Sequence, residues 1–349
     1  MKIALIGYPL SGKTTVFNTL TGLHARVDGF ITSGKEANVG LIKVPDNRID
    51  RLSEIFQPKK TTFAEISFVD VGGITATGTG GIDAQSLSYM RTVDAFTVVA
   101  RAFEDEAVSH PLNRIDPAAD VTSLEEEMAL SDLMIIEKRM ARLEKESKRG
   151  SAEHVLLERC NAALGEGKPL RELGLSEEEK RLLAGFQFLT LKPRLVLINT
   201  GESNLEADPA LIERFGGEAI AFCAALEQQI SELGPSEQAE FLEAMGIDEP
   251  ARPKFIRAAY ALLDLISFFT VGKDEVRAWT INRGTDAVNA AGKIHSDIQR
   301  GFIRAEVVSY EDFSAEPNMN RMKELGKLRL EGKTYPVQDG DIINFRFNV

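Results

Sequence analysis

The chain has 349 residues, 43% of them hydrophobic and 27% charged, a globular composition too long for one compact core, so two or three domains are expected. A formal net charge of −12 excludes wholesale nucleic-acid binding through a basic surface and sets DNA aside as a partner; from Ile266 onward, however, 12 Lys/Arg balance 12 Asp/Glu, which leaves room for a local basic face toward RNA. There is no leader-like segment and no apolar run of about 18 residues, and Cys160 and Cys223 cannot make a disulfide framework or a zinc site, so the expectation is a cytoplasmic protein with reduced thiols and no membrane partner.

The first element is an apolar strand, Lys2–Ile6, that breaks at Gly7 and runs on as Tyr8-Pro9-Leu10-Ser11-Gly12-Lys13-Thr14-Thr15. This is the G-x-x-x-x-G-K-[ST] pattern in its confirming context, strand before and helix after. Gly7 turns the chain off the strand, and Gly12 lets the backbone approach phosphate oxygens. The N–H groups of Leu10, Ser11, Gly12, Lys13, Thr14 and Thr15 form an anion nest backed by the positive end of the helix. Lys13 is expected to reach the β- and γ-phosphates, and the Thr14 hydroxyl to coordinate Mg²⁺. Val16, Phe17 and Leu20 carry the helix on to Gly22, a C-cap, and residues 22–34 read as a polar loop over the nucleotide.

Residues 38–44 read as a strand ending at Pro45-Asp46, followed by a helix over 47–56. A second apolar strand, from Glu65, ends in Asp70-Val71-Gly72-Gly73. After a phosphate-binding loop, an Asp at such a strand end holds Mg²⁺, usually through water, and the Gly73 N–H senses the γ-phosphate. Residues 74–81 are Gly/Thr-rich, as in a switch loop. Ile74 occupies the position where Ras-like enzymes place the glutamine that orients water, so hydrolysis must recruit another group or be slow alone.

Residues 95–100 form a buried strand. Between Ser123 and Arg149 the apolar positions Ala129, Leu133, Ile136, Met140 and Leu143 follow a heptad seam, and a second helix over 152–164 completes an antiparallel hairpin with Lys145, Lys148 and Arg149 near its tip. The sheet resumes at 194–198 and ends in Asn199-Thr200-Gly201-Glu202. GTPases read guanine here with N-K-x-D; the Asp is replaced by Glu202, which favours ATP. Residues 219–222 give one more strand, and the loop that follows, with Ala224 and Ala225, can close over the base. The alternation predicts an α/β fold: a mainly parallel P-loop NTPase sheet over 1–265, with a helical insertion at about 121–190. Residues 266–349 read as a small β-grasp-like domain with strands at 268–270, 276–281, 303–307, 333–337 and 342–347 and one helix over 285–300.

The sequence resembles the YchF/Obg-like ATPase family over essentially its whole length. The C-terminal match is the most specific: Phe269-Thr270-Val271-Gly272, Glu275-Val276-Arg277-Ala278-Trp279-Thr280, Ala291-Gly292-Lys293-Ile294-His295 and Asp339-Gly340-Asp341 with Phe345-Arg346-Phe347-Asn348-Val349 look like its TGS domain. Phe103-Glu104-Asp105, Asp116-Pro117 and Asn199-x-x-Glu202 match its middle part. The resemblance implies an ATP-preferring, Mg²⁺-dependent hydrolase that associates with the ribosome, through rRNA or ribosomal protein. It implies that Thr200 contacts adenine through its backbone, and that His110 stands where the family has a histidine on a flexible loop, a contributor to hydrolysis; a surface-loop histidine without a role is the alternative. Leu10-Ser11 replace the family's Asn-Val, whose asparagine helps hold a monovalent cation, so potassium dependence is left open. The first-switch threonine aligns nearest Gly34, beside Thr32 and Ser33. Three functions follow in order: an ATP-hydrolysing switch, a GTPase of the same fold, and a divergent non-catalytic ribosome-binding adaptor.

Overall fold

A computed structural model describes residues 1–23, 38–71, 82–105 and 108–348. Their packing separates two compact units, Met1–Leu41 with Ser67–Arg252, and Ile42–Ile66 with Pro253–Val349. The strands in chain order are β1 (Lys2–Ile6), β2 (Asn38–Lys43), β3 (Lys60–Thr62), β4 (Glu65–Asp70), β5 (Ala95–Ala102), β6 (Arg194–Thr200), β7 (Ala219–Phe222), β8 (Leu265–Thr270), β9 (Glu275–Asn282), β10 (Phe302–Ser309), β11 (Arg329–Glu331) and β12 (Asp341–Phe347). No helix among the described residues is long and apolar enough to cross a membrane.

The first unit is built on the sheet β2-β4-β1-β5-β6-β7, in which β1 pairs in parallel with β4 and β5, and β6 with β5 and β7. Its central strands read Ile-Ala-Leu-Ile, Phe-Thr-Val-Val-Ala and Leu-Val-Leu-Ile because both faces are covered, the usual consequence of parallel crossovers. Glycine closes the helix Lys13–Thr21 as read from sequence: Gly22 sits at φ 70° and its N–H donates to the Asn18 carbonyl. Sheet order therefore places the ends of β1, β4, β5 and β6 side by side, and the phosphate-binding loop leaves from one of the central strands.

The insertion starts earlier than the heptad seam. Its first helix is Pro117–Lys145, 29 residues, with Pro117 at the first position and the Asp116 carboxylate accepting from the Ala119 N–H. Ala118, Val121, Leu124 and Met128 belong to the core of the nucleotide sheet. Farther along, Ile136 and Leu143 meet Leu156, Leu157, Cys160 and Leu164 of the returning helix Ala152–Gly165, with Ala129, Leu133 and Met140 at their margins. One helix thus serves two cores in turn. The basic tip is balanced by its own acids: Lys148 pairs with Glu146 at 3.0 Å and Arg149 approaches Glu144 at 3.8 Å. The return of the insertion is pinned by Asp132, fully buried on the long helix. Its carboxylate accepts from the N–H groups of Leu189 (3.1 Å) and Thr190 (2.8 Å), from the Thr190 hydroxyl (2.9 Å) and from Arg91 (3.2 Å).

The second unit is built on the sheet β11-β10-β12-β8-β9-β3. The sequence division at 265/266 differs from the observed units, because residues 42–66 pack with the C-terminal part. Strand β3 pairs in parallel with β9, and the Lys59 and Lys60 N–H groups donate to the Lys273 and Asp274 carbonyls. Arg48, at the start of the helix Asn47–Phe56, bridges Asp46 and Asp339 at 2.8 Å each and lies over the Phe269 ring. Two readings of this part need correction. The strand expected at 333–337 is not one: Pro336 has no N–H to give a ladder, and the sheet edge is Arg329–Glu331, paired with β10. The helix expected over 285–300 is two, Ala287–Ile294 and Ser296–Arg300; His295 is extended (φ −163°) and its imidazole caps the second by accepting from the Asp297 N–H.

Removing the Asp132 carboxylate would leave the buried amides of Leu189 and Thr190 unmatched and would take from Arg91 its anion, leaving it only the Gln187 carbonyl and the Ser131 hydroxyl. Asp132→Ala is expected to destabilise the first unit by about 3 kcal/mol, read as a lower urea midpoint. A change below about 0.5 kcal/mol would show that the pin is dispensable.

Candidate functional site

The loop between β1 and the first helix is shaped by contacts that a side chain would block. Gly7 is at φ 153°, and a Cβ there would fall 2.4 Å from the Val99 carbonyl oxygen of β5. Gly12 is at φ 90°, and its Cβ would fall 2.2 Å from the Asn199 Nδ2 atom of β6. Leu10, between them, is held at φ 64°, a left-handed conformation unusual for a side-chain-bearing residue. Gly12 gives the helix no side-chain cap, so the first-turn amides of Lys13, Thr14 and Thr15 face the concave side of the loop, where an anion is favoured.

Lys13 is 6% exposed and its Nζ donates to the Tyr8 carbonyl at 2.7 Å. Burial lowers its pKa to about 8, against the attraction of Asp70. Burial likewise raises Asp70, against Lys13, Thr14 and Asn38. Both charges are therefore held under strain in a dry site, and a polyphosphate would relieve Lys13 directly. The Thr14 hydroxyl donates to Asp70 Oδ2 at 3.0 Å. The pair brings two oxygen donors of the hard type together beside the loop, a donor set that fits a hard divalent cation keeping several waters. Ser11 is buried, and its hydroxyl has no hydrogen-bond partner among the described residues. Gly73 and Ile74, and Thr32, Ser33 and Gly34, lie outside the described residues.

Asn199 is buried and committed at both ends of its amide. Nδ2 donates to the Ser11 carbonyl at 2.9 Å, and Oδ1 accepts from the Ala224 N–H at 3.1 Å. It binds the phosphate loop to the start of the helix Ala224–Glu232, in which Ala225 follows. Glu202 is exposed and accepts from Gln229 at 2.7 Å. Thr200 is buried with its hydroxyl unpartnered among the described residues; it lines a cavity of about 400 Å³ with Ala102, Ile115, Pro117, Ile198 and Leu211. Sequence reading did not anticipate this cavity, because its walls come from four separated segments.

His110 is not on the surface. It is 5% exposed, its Nε2 lies 3.0 Å from Asp120 Oδ2, and its ring meets Tyr8 edge-on at 6.2 Å between centroids. The Leu112 N–H donates to Nδ1, which assigns the ring proton to Nε2. Arg114 lies 3.2 Å from the other Asp120 oxygen; burial raises the Asp120 pKa against the opposing pull of His110 and Arg114. Tyr8, Arg101, Asp120 and Ser123 surround the loop and escaped sequence reading. Arg101 carried a signal, a charged residue inside the apolar run Val98-Val99-Ala100-Arg101-Ala102.

Two family models match the chain. One, for the C-terminal domain of YchF GTPases, described as a protein of unknown function (DUF933), covers residues 265–348; the other, described as a 50S ribosome-binding GTPase, covers residues 2–139. The ribosome-binding ATPase YchF of Haemophilus influenzae is 40% identical over 100% of this chain and 99% of its own. That of Bacillus subtilis is 40% identical over 99% and 98%. A solved YchF GTPase from Schizosaccharomyces pombe matches with a TM-score of 0.87 at 29% identity, over 99% of this chain and 97% of that one. A GTP binding protein from Pyrococcus horikoshii OT3, with a TM-score of 0.62 at 18% identity, shares the fold.

The depressed Lys13 predicts a pH profile for nucleotide affinity. Phosphate oxygens beside Lys13 raise its pKa again, so the complex holds the proton more tightly than the free protein. Affinity is then flat below about pH 7 and weakens as pH rises through 8, approaching about tenfold per unit. A titration series in which affinity stays constant up to about pH 9.5 contradicts this.

Proposed function

This chain belongs to the YchF family, and from that membership we propose that it is an ATP-binding and ATP-hydrolysing switch, Mg²⁺-dependent and cytoplasmic, that works on the ribosome. The observation that carries the nucleotide part is the buried Lys13 beside the Thr14–Asp70 pair, at the mouth of a loop whose two glycines cannot be replaced. The ribosome enters from the names of the relatives, ribosome-binding ATPases. The contact would be to rRNA or ribosomal protein, and the charge-balanced hairpin tip favours no single choice.

In this reading Lys13 and the amides of the loop hold the phosphates and neutralise charge on the β- and γ-oxygens. Thr14 and Asp70 hold Mg²⁺, which when bound draws further charge from the phosphate oxygens. Asn199 fixes the loop and reads the base edge together with the Thr200 backbone, while Ala224 and Ala225 close the site beside it. Glu202 offers a carboxylate oxygen to the adenine amino group. His110 assists the attacking water in place of the glutamine that Ile74 replaces. Its Nε2 faces Asp120, so the imidazole must turn toward the nucleotide for hydrolysis, and turnover of the isolated protein is slow.

Two observations favour the guanine reading: a carboxylate, here Glu202, stands at the fourth position of the base motif, and the Schizosaccharomyces pombe neighbour is named a GTPase. Single-turnover hydrolysis with a parallel binding titration tests the assignment of roles. Lys13→Ala is expected to weaken ATP binding about 100-fold, and His110→Ala to slow hydrolysis at least about tenfold with affinity within about threefold of the parent. A Lys13→Ala protein with undiminished affinity and turnover overturns the proposal. Undetectable hydrolysis by the parent, with ribosome association unaffected by Lys13→Ala, would leave the non-catalytic adaptor.

A further inference from the structure

We propose that Arg101 is a positioning residue that couples the phosphate-binding loop to the segment carrying His110, which leads on to the root of the helical hairpin. It rests on the reading that this loop binds nucleotide.

Arg101 lies near the end of β5, in register with Asn199 on β6, and is 1% exposed. Its guanidinium spends each nitrogen on a backbone carbonyl. Nε donates to Phe103 at 3.0 Å, Nη2 to Val108 at 2.8 Å and Nη1 to Leu10 at 3.4 Å. The Phe103 ring lies against it, 4.4 Å from the guanidinium carbon. Two of these acceptors belong to different machinery: Leu10 is the left-handed residue of the phosphate loop, and Val108 comes two residues before His110. A buried guanidinium is costly, and a strand end needs no cation to be stable. What this group supplies is a planar fork that holds three separated carbonyls in one geometry, which neither an apolar side chain nor a lysine can do.

A second connection runs alongside. Tyr8, whose carbonyl receives Lys13, sends its hydroxyl to Ser123 Oγ at 3.0 Å and lays its ring against His110. Ser123 lies in the second turn of the helix Pro117–Lys145, whose 29 residues span about 43 Å at 1.5 Å per residue. Leu10 and Tyr8 are thus fixed to both ends of the segment 108–123. A displacement of the loop by bound phosphate is passed to His110 and to the base of a long rigid lever, and Arg101 is the member whose removal frees both Leu10 and Val108.

The test is hydrogen exchange on the full chain, with and without Mg²⁺ and a non-hydrolysable ATP analogue, joined to single-turnover hydrolysis. In the parent, nucleotide is expected to slow exchange at residues 8–15 and also at 108–123. In Arg101→Met the protection at 8–15 stays and that at 108–123 falls by at least half. Hydrolysis drops at least about tenfold while affinity moves less than about threefold, a split that general destabilisation does not produce. Arg101→Lys behaves as Arg101→Met. Tyr8→Phe, which loses only the hydroxyl, reduces the distal protection in part and covers the case in which the Arg101 variants fold poorly. Undiminished protection at 108–123 in both Arg101→Met and Tyr8→Phe overturns the proposal. So does loss of both protections together with affinity. A parent that shows no protection at 8–15 instead contradicts the nucleotide reading; the tie is then judged without ligand, where Arg101→Met must speed exchange at 108–123 and an unchanged rate overturns it.

Discussion

Gly12 and Asn199 cannot both be where they are unless position 12 has no side chain. The Asn199 amide nitrogen occupies the place of a Cβ, 2.2 Å from where one would be built, and at φ 90° an L-residue would be strained even in open space. That contact lets one asparagine bind the Ser11 carbonyl and the Ala224 amide together, so the ends of β1, β6 and β7 become a single frame. Gly7 does the same against β5. The loop is clamped between two neighbouring strands, which fixes the direction in which Lys13 and Thr14 leave the first turn of the helix.

From that clamp follows the electrostatic character of the site. Lys13 is dry, its ammonium satisfied by the Tyr8 carbonyl and held with a lowered pKa, and Asp70 is raised by the same lack of water. A chain with net charge −12 therefore keeps a small cationic centre in a protein that is acidic as a whole. Attraction for polyphosphate is local and short-ranged, set by burial rather than by the field of the surface. Around it stand three further buried polar groups, Arg101, His110 and Asp120, which are costly to bury. Their hydrogen bonds and ion pairs run from the loop toward the long helix, the direction in which a switch would have to transmit.

Much of this was legible in the sequence, and what was legible has a common cause. Strands β1, β4, β5 and β6 and the helices Lys13–Thr21 and Asn47–Phe56 declare themselves by apolar runs, caps and glycines acting within a few residues. The heptad seam declared the hairpin, but its first turns were hidden because Ala118, Val121 and Leu124 pack on the sheet rather than on the returning helix. What could not be read was what depends on distant partners. Residues 42–66 look like an ordinary connection between two strands, yet β3 finds its partner in β9 and Arg48 finds Asp339. His110 reads as a surface residue because Asp120 and Tyr8, which bury it within its loop, meet it only in the fold. At 333–337, Pro336 is the visible signal against a strand. The phosphate loop was recognised because its geometry is written in consecutive residues, whereas the role of Asn199 in closing it was visible only in space.

The measurement that bears most directly on the account is a titration of the purified full chain with labelled non-hydrolysable ATP and GTP analogues, in Mg²⁺, with and without ribosomes. The account predicts saturable binding of the ATP analogue, a clear preference over the GTP analogue, and a change in affinity when ribosomes are added. A preference for the GTP analogue would contradict the reading of Asn199–Glu202, and binding of neither would mean that this clamped loop no longer serves a nucleotide.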